Sequence, residues 1–277
     1  MTLKELNKQA SFFPDTDPMP VVFVGHGSPM NAVEDNEFTK EWKHVESLLP
    51  LPKAIVCISA HWETRGTFVM ANELPKTIHD FYGFPAELYD INYPASGSPL
   101  LADKIIEEIK NPIIENALDW GLDHGAWTVL RHIYPNADIP VIQISIDHFK
   151  DVKWHYELGK QLAFLRRKGV LVVGSGNMVH NLRMIGLIDD DFNAEYGYDW
   201  AFELNTIFKD KIKNAEDLDL INYSRLHKDV RYAIPTLEHY IPLIYILGMR
   251  NDKDEIRFFN DKVITGSLSM TSVIIGN

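Results

Sequence analysis

Short apolar runs rich in β-branched residues recur along this chain, and they constrain its fold more than any other feature. They cover residues 20–25, 54–60, 139–146 and 170–174. Runs of this length with little polar alternation are typical of strands that are buried on both faces. Such strands occur in sheets that carry helices on either side. The sequence therefore predicts a largely parallel or mixed central sheet.

Helical segments alternate with these strands. Ser98 and Pro99 open one helix, because a capping hydroxyl followed by proline in the first turn is a typical helix start. A second helix begins at Asp151 and is predicted to end at Gly169. The alternation predicts an α/β fold in which helices flank the sheet and the active site lies at the strand ends. No linker divides the 277 residues, so we expect a single domain over residues 1–277.

Charge and cysteine content exclude several classes of protein. The formal net charge is -12, which is unfavourable for binding to a phosphate backbone, so we expect no nucleic-acid partner. Cys57 lies inside an apolar run and has no second cysteine to pair with, which is typical of a reducing compartment. No apolar stretch reaches the roughly 18 residues that a membrane span needs, and the first ten residues lack the apolar core of a signal peptide. We therefore expect a cytoplasmic protein without a membrane partner, and the oligomeric state stays open.

Four histidines share a position just after a predicted strand or at a predicted helix start, with glycine, serine or small polar neighbours. They are His26, His61, His180 and His239. Because the loops after parallel strands gather at one edge of a sheet, we expect these imidazoles to converge. Convergent neutral imidazoles suit a transition metal. Glu238 is an alternative ligand to His239, or a cap for a helix that is predicted to start near it and to run to Gly248.

Two further histidines are candidates for a binding pocket. His124 lies at a predicted helix start, where the helix dipole favours a neutral imidazole, and a buried structural role is an equally good interpretation. His79 precedes Phe81, Tyr82 and Phe84 in a stretch without clear periodicity, and these rings could form the wall of a pocket for a flat ring. The other histidines are predicted to be surface residues: His44, His132, His148, His155 and His227.

Taken in chain order, six motifs resemble the class III extradiol ring-cleaving dioxygenases. They are Gly25-His-Gly-Ser-Pro29, Ser59-Ala-His-Trp-Glu63, His79-Asp-Phe-Tyr-Gly-Phe-Pro85, Leu122-Asp-His-Gly-Ala-Trp127, Gly174-Ser-Gly-Asn-Met-Val-His180-Asn and Pro235-Thr-Leu-Glu-His-Tyr240. The likeness is greatest to the subgroup called 4,5-DOPA dioxygenase extradiol, or zinc-binding ring-opening dioxygenases. Six motifs in one order, spanning residues 25–240, are much more specific than any one of them.

The resemblance implies an enzyme that binds one non-haem metal and inserts both atoms of O2 into a 4,5-DOPA-like catechol, opening the ring next to the hydroxyls. It implies that His26, His61 and His239 are metal ligands. His180 would be the acid-base residue near the metal, and in zinc-filled members it can count as a fourth ligand. His124 would line the substrate and oxygen pocket and contribute to catalysis.

One feature departs from the better-known protocatechuate 4,5-dioxygenases, in which the third ligand is a glutamate. Here His239 occupies that place, and Glu238 lies beside it. The resemblance also implies that Fe(II) is the metal of the active enzyme, because zinc has no redox chemistry, and that Zn(II) can occupy the same site. Two alternatives remain at this point: a zinc-dependent hydrolase that lowers the pKa of a bound water, and a non-catalytic binding protein with a degenerate metal site.

Overall fold

The apolar runs form the strands at the centre of the fold. The computed structural model describes residues 14–277. Its strands are β1 (Val21–Gly25), β2 (Ala54–Ser59), β3 (Glu63–Thr64), β4 (Thr67–Met70), β5 (Ile114–Ala117), β6 (Val141–Gln143), β7 (Ile146–Asp147), β8 (Val170–Gly176), β9 (Ile256–Phe259), β10 (Val263–Ile264), β11 (Leu268–Ser269) and β12 (Ser272–Ile275). All residues of β1, β2 and β8 are buried, as expected of strands that are covered on both faces.

Six of these strands make one mixed sheet, in the order β6-β2-β8-β1-β12-β9. The first four are parallel neighbours, whereas β12 runs antiparallel to β1 and β9 runs antiparallel to β12. The predicted mixed sheet is therefore confirmed. Three small pairs accompany it: β3 with β7, β4 with β5, and β10 with β11.

Helices cover both faces of the sheet. They are α1 (Glu37–Val45), α2 (Ala86–Tyr89), α3 (Pro99–Glu108), α4 (His124–Ile133), α5 (Val152–Leu162), α6 (Asp199–Lys213), α7 (Asp217–Ile221), α8 (Val230–Ala233) and α9 (Ile241–Gly248). Successive residues of a strand face opposite sides of the sheet. At Gly174 in β8 a Cβ would lie 2.6 Å from Pro242 O in α9, whereas Ser175 Oγ donates a 2.6 Å hydrogen bond to Gly125 O in α4. These contacts place α9 and α4 on opposite faces, which confirms the predicted single-domain α/β fold.

The predicted helix starts depend on polar side chains that cap free backbone amides. Ser98 Oγ accepts a hydrogen bond from the amide of α3 at Leu101, and the Asp151 carboxylate accepts one from the amide of α5 at Trp154. Both predicted starts are confirmed. The helix from Asp151 ends at Leu162, and a 3-10 helix, Ala163–Lys168, extends it to Gly169. Gly169 has a φ of 72°, in the left-handed region that favours glycine at a helix end.

The predicted start of the last helix is wrong by a few residues. Helix α9 begins at Ile241 instead of near Glu238. The amides of Tyr240 and Ile241 both donate to the carbonyl of Leu237, so the chain makes a turn before the helix. Glu238 and His239 lie in that turn, so the period of a helix does not determine the directions of their side chains.

The predicted surface position of His155 is also wrong, because this side chain is only 1% exposed. It lies on the buried face of α5, where its Nδ1 is 3.0 Å from the hydroxyl of Tyr245. Burial lowers the pKa of His155 to about 4, so the imidazole is neutral in this buried position. The other four predicted surface histidines are exposed (His44, His148) or half-buried (His132, His227).

Two predictions from composition concern segments away from the site. Cys57 is buried and unpaired within the described residues. The prediction about the first ten residues lies outside the described part of the chain. Within residues 14–277, no helix combines the length and the apolar character that crossing a bilayer requires.

Candidate active site

The ends of three neighbouring strands bring the first two imidazoles together. In the register of the sheet, Gly25 of β1 pairs with Gly176 of β8, and Ser59 of β2 pairs with Ser175. The ladder continues past the strand ends, since the amide of His26 donates to Gly176 O at 3.1 Å. His26 and His61 therefore leave the sheet at the same edge, one and two residues beyond their strands.

The turn before α9 brings the third imidazole to the same edge. The carbonyl of His239 accepts a 2.9 Å hydrogen bond from the amide of Asn177, just beyond β8. This approach requires a residue without a side chain in the strand, because a Cβ at Gly176 would lie 2.2 Å from His239 O. Glycine at this position is thus what allows His239 to reach the strand ends.

His26, His61 and His239, called here the imidazole triangle, have the spacing of ligands that share one ion. Their ring centroids are 5.0, 5.2 and 5.2 Å apart, and His26 Nε2 lies 3.2 Å from His61 Nε2. Imidazole nitrogens bind Zn(II) at about 2.0–2.1 Å, so two such nitrogens on one ion are about 3.0–3.4 Å apart. The triangle fits a single transition-metal ion.

Hydrogen bonds on the outer side of two of these rings fix their tautomers. Ser175 Oγ donates its proton to Gly125 O, so it must accept the 3.0 Å hydrogen bond that joins it to His26 Nδ1. His239 Nδ1 lies 3.1 Å from the Glu238 carboxylate, which can only accept. Both Nδ1 atoms therefore carry a proton, and both Nε2 atoms present lone pairs, as metal-binding histidines do.

Asp80 orients the remaining ring of the triangle. Its Oδ2 lies 3.5 Å from His61 Nδ1 and 3.0 Å from His124 Nδ1, and its Oδ1 accepts a 2.8 Å hydrogen bond from the amide of His124. Burial alone would raise the pKa of Asp80, but hydrogen bonds and charge from His124, with the charge of His61, hold it below its usual value. Asp80 is thus a carboxylate shared by two imidazoles. Asp80 belongs to the motif that begins at His79, but no feature of the sequence marked its carboxylate as a partner of the site histidines.

Asp80→Asn is expected to weaken metal binding, because a neutral amide cannot replace the negative charge that lies within 3.5 Å of Nδ1 of both His61 and His124. Loss of such an outer partner typically costs 10–100-fold in metal affinity or activity, and we expect a change in this range. Competition with a chromophoric chelator measures the affinity. Asp90→Asn, at an exposed carboxylate of the same loop, is the matched control. Equal affinities for the two variants would contradict the role of Asp80.

Burial keeps the imidazoles of the site neutral. It lowers the pKa values of His26 and His239 well below 6.5, that of His61 to about 3 and that of His180 to about 4. Neighbouring imidazoles lower the first three further, since a charge on one disfavours a charge on the next. At neutral pH the lone pairs are therefore available for a metal.

The same pKa shifts predict how acid affects the metal-free protein. In the unfolded chain these histidines bind protons below about pH 6.5, whereas in the folded chain they resist protonation down to about pH 4. The unfolded state then holds more protons, so the free energy of unfolding falls as the pH drops from 6.5 to 4. Each histidine contributes up to about 1.4 kcal/mol per pH unit. Urea unfolding after chelator treatment measures this slope, and a flat profile over that window would contradict it.

His180 lies against the triangle without being part of it. Its ring stacks on His239 with centroids 3.5 Å apart and planes 7° from parallel. Ligand atoms of His180, Glu238 and His239 lie within 4.8 Å of one another, and so do those of His26, His61 and His124. The triangle takes members from both groupings. The structure thus brings together all five histidines predicted for the metal and for catalysis.

A cavity of about 500 Å³ opens beside these histidines, which all line it. Phe81 and Phe84 form part of its wall, and the ring of Phe81 meets that of His124 edge to face, with centroids 5.6 Å apart. Pockets for small molecules have volumes of this order and mostly apolar walls. The arrangement can therefore hold a flat ring against the imidazoles.

Two predicted pocket residues lie elsewhere. Tyr82 is 93% exposed, and His79 packs among aromatic side chains with its Nε2 3.0 Å from Ile91 O. Neither lines the cavity. The loop of residues 72–98 has no regular period, so the sequence could not tell which of its rings turn inward; Phe81 does so.

Several residues that line the cavity were not predicted, and two of the segments that supply them are polar in part. Glu34 and Asn31 follow the first histidine motif, and Phe192 and Asn193 precede α6. Neither segment carries a motif that resembles a binding site, so only their position beside the histidines identifies them.

The molecule is thus an α/β protein with a candidate metal site. Its histidines lie at the strand ends of a mixed sheet, beside a largely apolar cavity. The sequence matches the family described as the catalytic LigB subunit of aromatic ring-opening dioxygenase over residues 19–269. The chain belongs to this family. Family members are metal-dependent dioxygenases, so its reactants are a small molecule and O2.

Individual relatives agree with this assignment. The chain is 47% identical to "4,5-DOPA dioxygenase extradiol" of Escherichia coli (strain K12) over 262 residues, covering 93% of this chain and 95% of that protein. It is 34% identical to "4,5-DOPA dioxygenase extradiol" of Beta vulgaris, covering 90% of this chain and 94% of that protein. A crystal structure of an uncharacterized protein from Escherichia coli K12 superposes with a TM-score of 0.80 at 42% identity, covering 93% of this chain and all of that one.

Proposed function

We propose that this protein is an extradiol dioxygenase that inserts both atoms of O2 into a catechol of the 4,5-DOPA type and opens the ring next to the hydroxyls. The imidazole triangle carries the proposal, because its three ring centroids lie 5.0–5.2 Å apart and all three side chains line one cavity with aromatic walls. Family membership and the names of the relatives support the reaction class.

His26, His61 and His239 would hold the metal, with Fe(II) in the active enzyme and Zn(II) able to occupy the same site. When bound, the metal supplies a chelation site for the catechol oxygens and the redox chemistry that O2 requires. Glu238 has another task in this proposal. Its carboxylate accepts from His239 Nδ1 and from the hydroxyl of Thr236, which favours His239 over Glu238 as the third ligand.

His180 is the proposed acid-base residue. It is half-buried, lines the cavity and is neutral, so a ring nitrogen can accept the proton that a catechol hydroxyl loses when it chelates. The same nitrogen can return that proton when the ring opens. Its stacking on His239, a proposed metal ligand, supports a role next to the metal in which His180 itself need not be a ligand.

His124 and Phe81 would bind the substrate. The Asp80 carboxylate lies 3.0 Å from His124 Nδ1, so Nε2 is the ring nitrogen that would accept a hydrogen bond from a catechol hydroxyl. Phe81 and Phe84, which both line the cavity, offer their rings to the aromatic substrate.

The direct test is to load the purified protein with Fe(II) without oxygen and then add oxygen and a panel of catechols that includes DOPA. Oxygen consumption with a yellow ring-opened product is the expected result. No product from any catechol would overturn the proposal. Ester or amide hydrolysis with Zn(II), independent of oxygen, would identify a hydrolase instead. The cytoplasmic location and the extent of the catalytic domain over residues 1–277 stay predictions.

A further inference from the structure

Among residues 14–277, one acidic side chain lines the cavity, that of Glu34. Most of the wall beyond the histidines is apolar, with side chains such as Met30, Phe192 and Leu268. Within the described part of the chain, no Lys or Arg lines the cavity. The described cavity wall thus carries a carboxylate and no compensating positive residue.

Two asparagines bind this carboxylate directly, and a third connects them to the first histidine motif. These three residues, Asn31, Asn36 and Asn193, are called here the asparagine network. Glu34 Oε2 accepts hydrogen bonds from Asn36 Nδ2 at 3.1 Å and from Asn193 Nδ2 at 3.0 Å. Asn36 Nδ2 also donates to Asn31 Oδ1 at 2.8 Å, and Asn31 Nδ2 donates to the carbonyl of His26 at 3.1 Å. The asparagine network therefore fixes the position of Glu34 relative to the imidazole triangle.

One carboxylate oxygen is left for a ligand. Among residues 14–277, no protein group hydrogen-bonds to Glu34 Oε1, whereas Oε2 has two amide donors. An ionised carboxylate can only accept, so the partner that completes it must donate protons. A charge-assisted hydrogen bond from an ammonium group is about twice as strong as one between neutral groups.

We propose that Glu34 selects substrates whose side chain carries an ammonium group and disfavours catechols whose only charged substituent is a carboxylate. This inference rests on the proposed function, because the catechol ring must bind at the histidines for its side chain to extend along the same cavity. The asparagine network fixes Glu34 in advance, so little ordering is needed when the ammonium binds. A carboxylate substituent would find a like charge and no cationic partner.

A purely structural role for Glu34 makes a different prediction. In that case its carboxylate would only connect Asn36 to the segment that contains Asn193. Glu34→Gln separates the two roles, because the amide oxygen can still accept from both asparagines while the charge is lost. Asp35→Asn is the matched control: it removes one charge at the neighbouring position, where the carboxylate is exposed, pairs with Lys40 and Lys43, and does not line the cavity.

The experiment measures binding of three catechols to Zn(II)-loaded protein without oxygen, by calorimetry. Dopamine carries an ammonium, 4-ethylcatechol is neutral and 3,4-dihydroxyphenylacetate carries a carboxylate. For the natural sequence we expect dopamine to bind about tenfold tighter than 4-ethylcatechol, and the carboxylate to bind weakest. Glu34→Gln should remove the advantage of dopamine and leave 4-ethylcatechol within about twofold, whereas Asp35→Asn should keep the advantage.

Equal binding of dopamine and 4-ethylcatechol by the unaltered protein would overturn the inference, whatever the variants do. So would an equal loss of affinity for all three compounds in Glu34→Gln, which is the outcome of a structural role. Oxygen consumption by the Fe(II)-loaded protein tests the proposed function separately. Turnover of all three catechols at similar kcat/KM would support the dioxygenase and reject the role of Glu34. Charge-selective binding without any turnover would support the role of Glu34 and reject the dioxygenase.

Discussion

His239→Ala is expected to abolish stable metal binding and, with it, dioxygenase activity. The substitution removes one of the three imidazoles whose ring centroids are 5.0–5.2 Å apart, and it leaves His26 and His61 without the third proposed ligand. Loss of a residue that hydrogen-bonds to a metal ligand typically costs about 10–100-fold in metal affinity or activity, so loss of a direct ligand should cost more. Metal content after loading and gel filtration, together with chelator competition, measures the effect.

Glu238→Gln is the informative comparison for that experiment. The amide oxygen of Gln can still accept from His239 Nδ1, so this variant should keep one metal per chain. His44→Ala, at an exposed histidine of α1, controls for the loss of an imidazole elsewhere. Metal retained by His239→Ala but lost from Glu238→Gln would show that the glutamate is the third ligand and that the proposed ligand set is incorrect.

His180→Ala is expected to lower kcat by about 10²–10⁴-fold while the metal stays bound. The reason is that His180 would move protons to and from the catechol, whereas the proposal assigns His239 and His61 to the metal and His124 to binding the substrate. Steady-state oxygen consumption gives kcat, and metal analysis of the same sample shows whether the site is intact.

The pH profile of His180→Ala separates acid-base catalysis from metal ligation. If His180 transfers protons, the variant should lose the ionisation that limits turnover on the acid side of the natural profile, with metal affinity unchanged. A loss of metal affinity comparable to that of His239→Ala would instead assign His180 as a fourth ligand. Unchanged kcat would remove it from the mechanism.

Much of the fold could be predicted because it depends on local patterns. The buried runs before His26 and His61 have the length and composition of strands with two covered faces, and β1 and β2 lie there. Ser98 and Asp151 mark helix starts because a side-chain oxygen satisfies an amide only a few residues ahead. Such interactions are visible in the sequence because their partners are neighbours in the chain.

Predictions failed where the deciding contact came from far along the chain. His155 resembled a surface residue until the fold placed the hydroxyl of Tyr245 beside its ring. Within the loop around His79, the sequence offered several aromatic rings as walls, and packing against His124 selected Phe81 and left Tyr82 in solvent. No local pattern explains glycine at position 176, and the structure shows that it makes room for the carbonyl of His239.

The sequence by itself determined the α/β alternation and which histidines stand at the ends of its strands, because these follow from hydrophobic periodicity and turn residues. Only the tertiary structure decided that three imidazoles lie at ligand spacing, that Asp80 is shared by His61 and His124, and that Glu34 belongs to the same cavity. The physical reason is that tautomers, pKa values and charge complementarity depend on distances between groups, and the fold sets those distances between residues that are far apart in the chain.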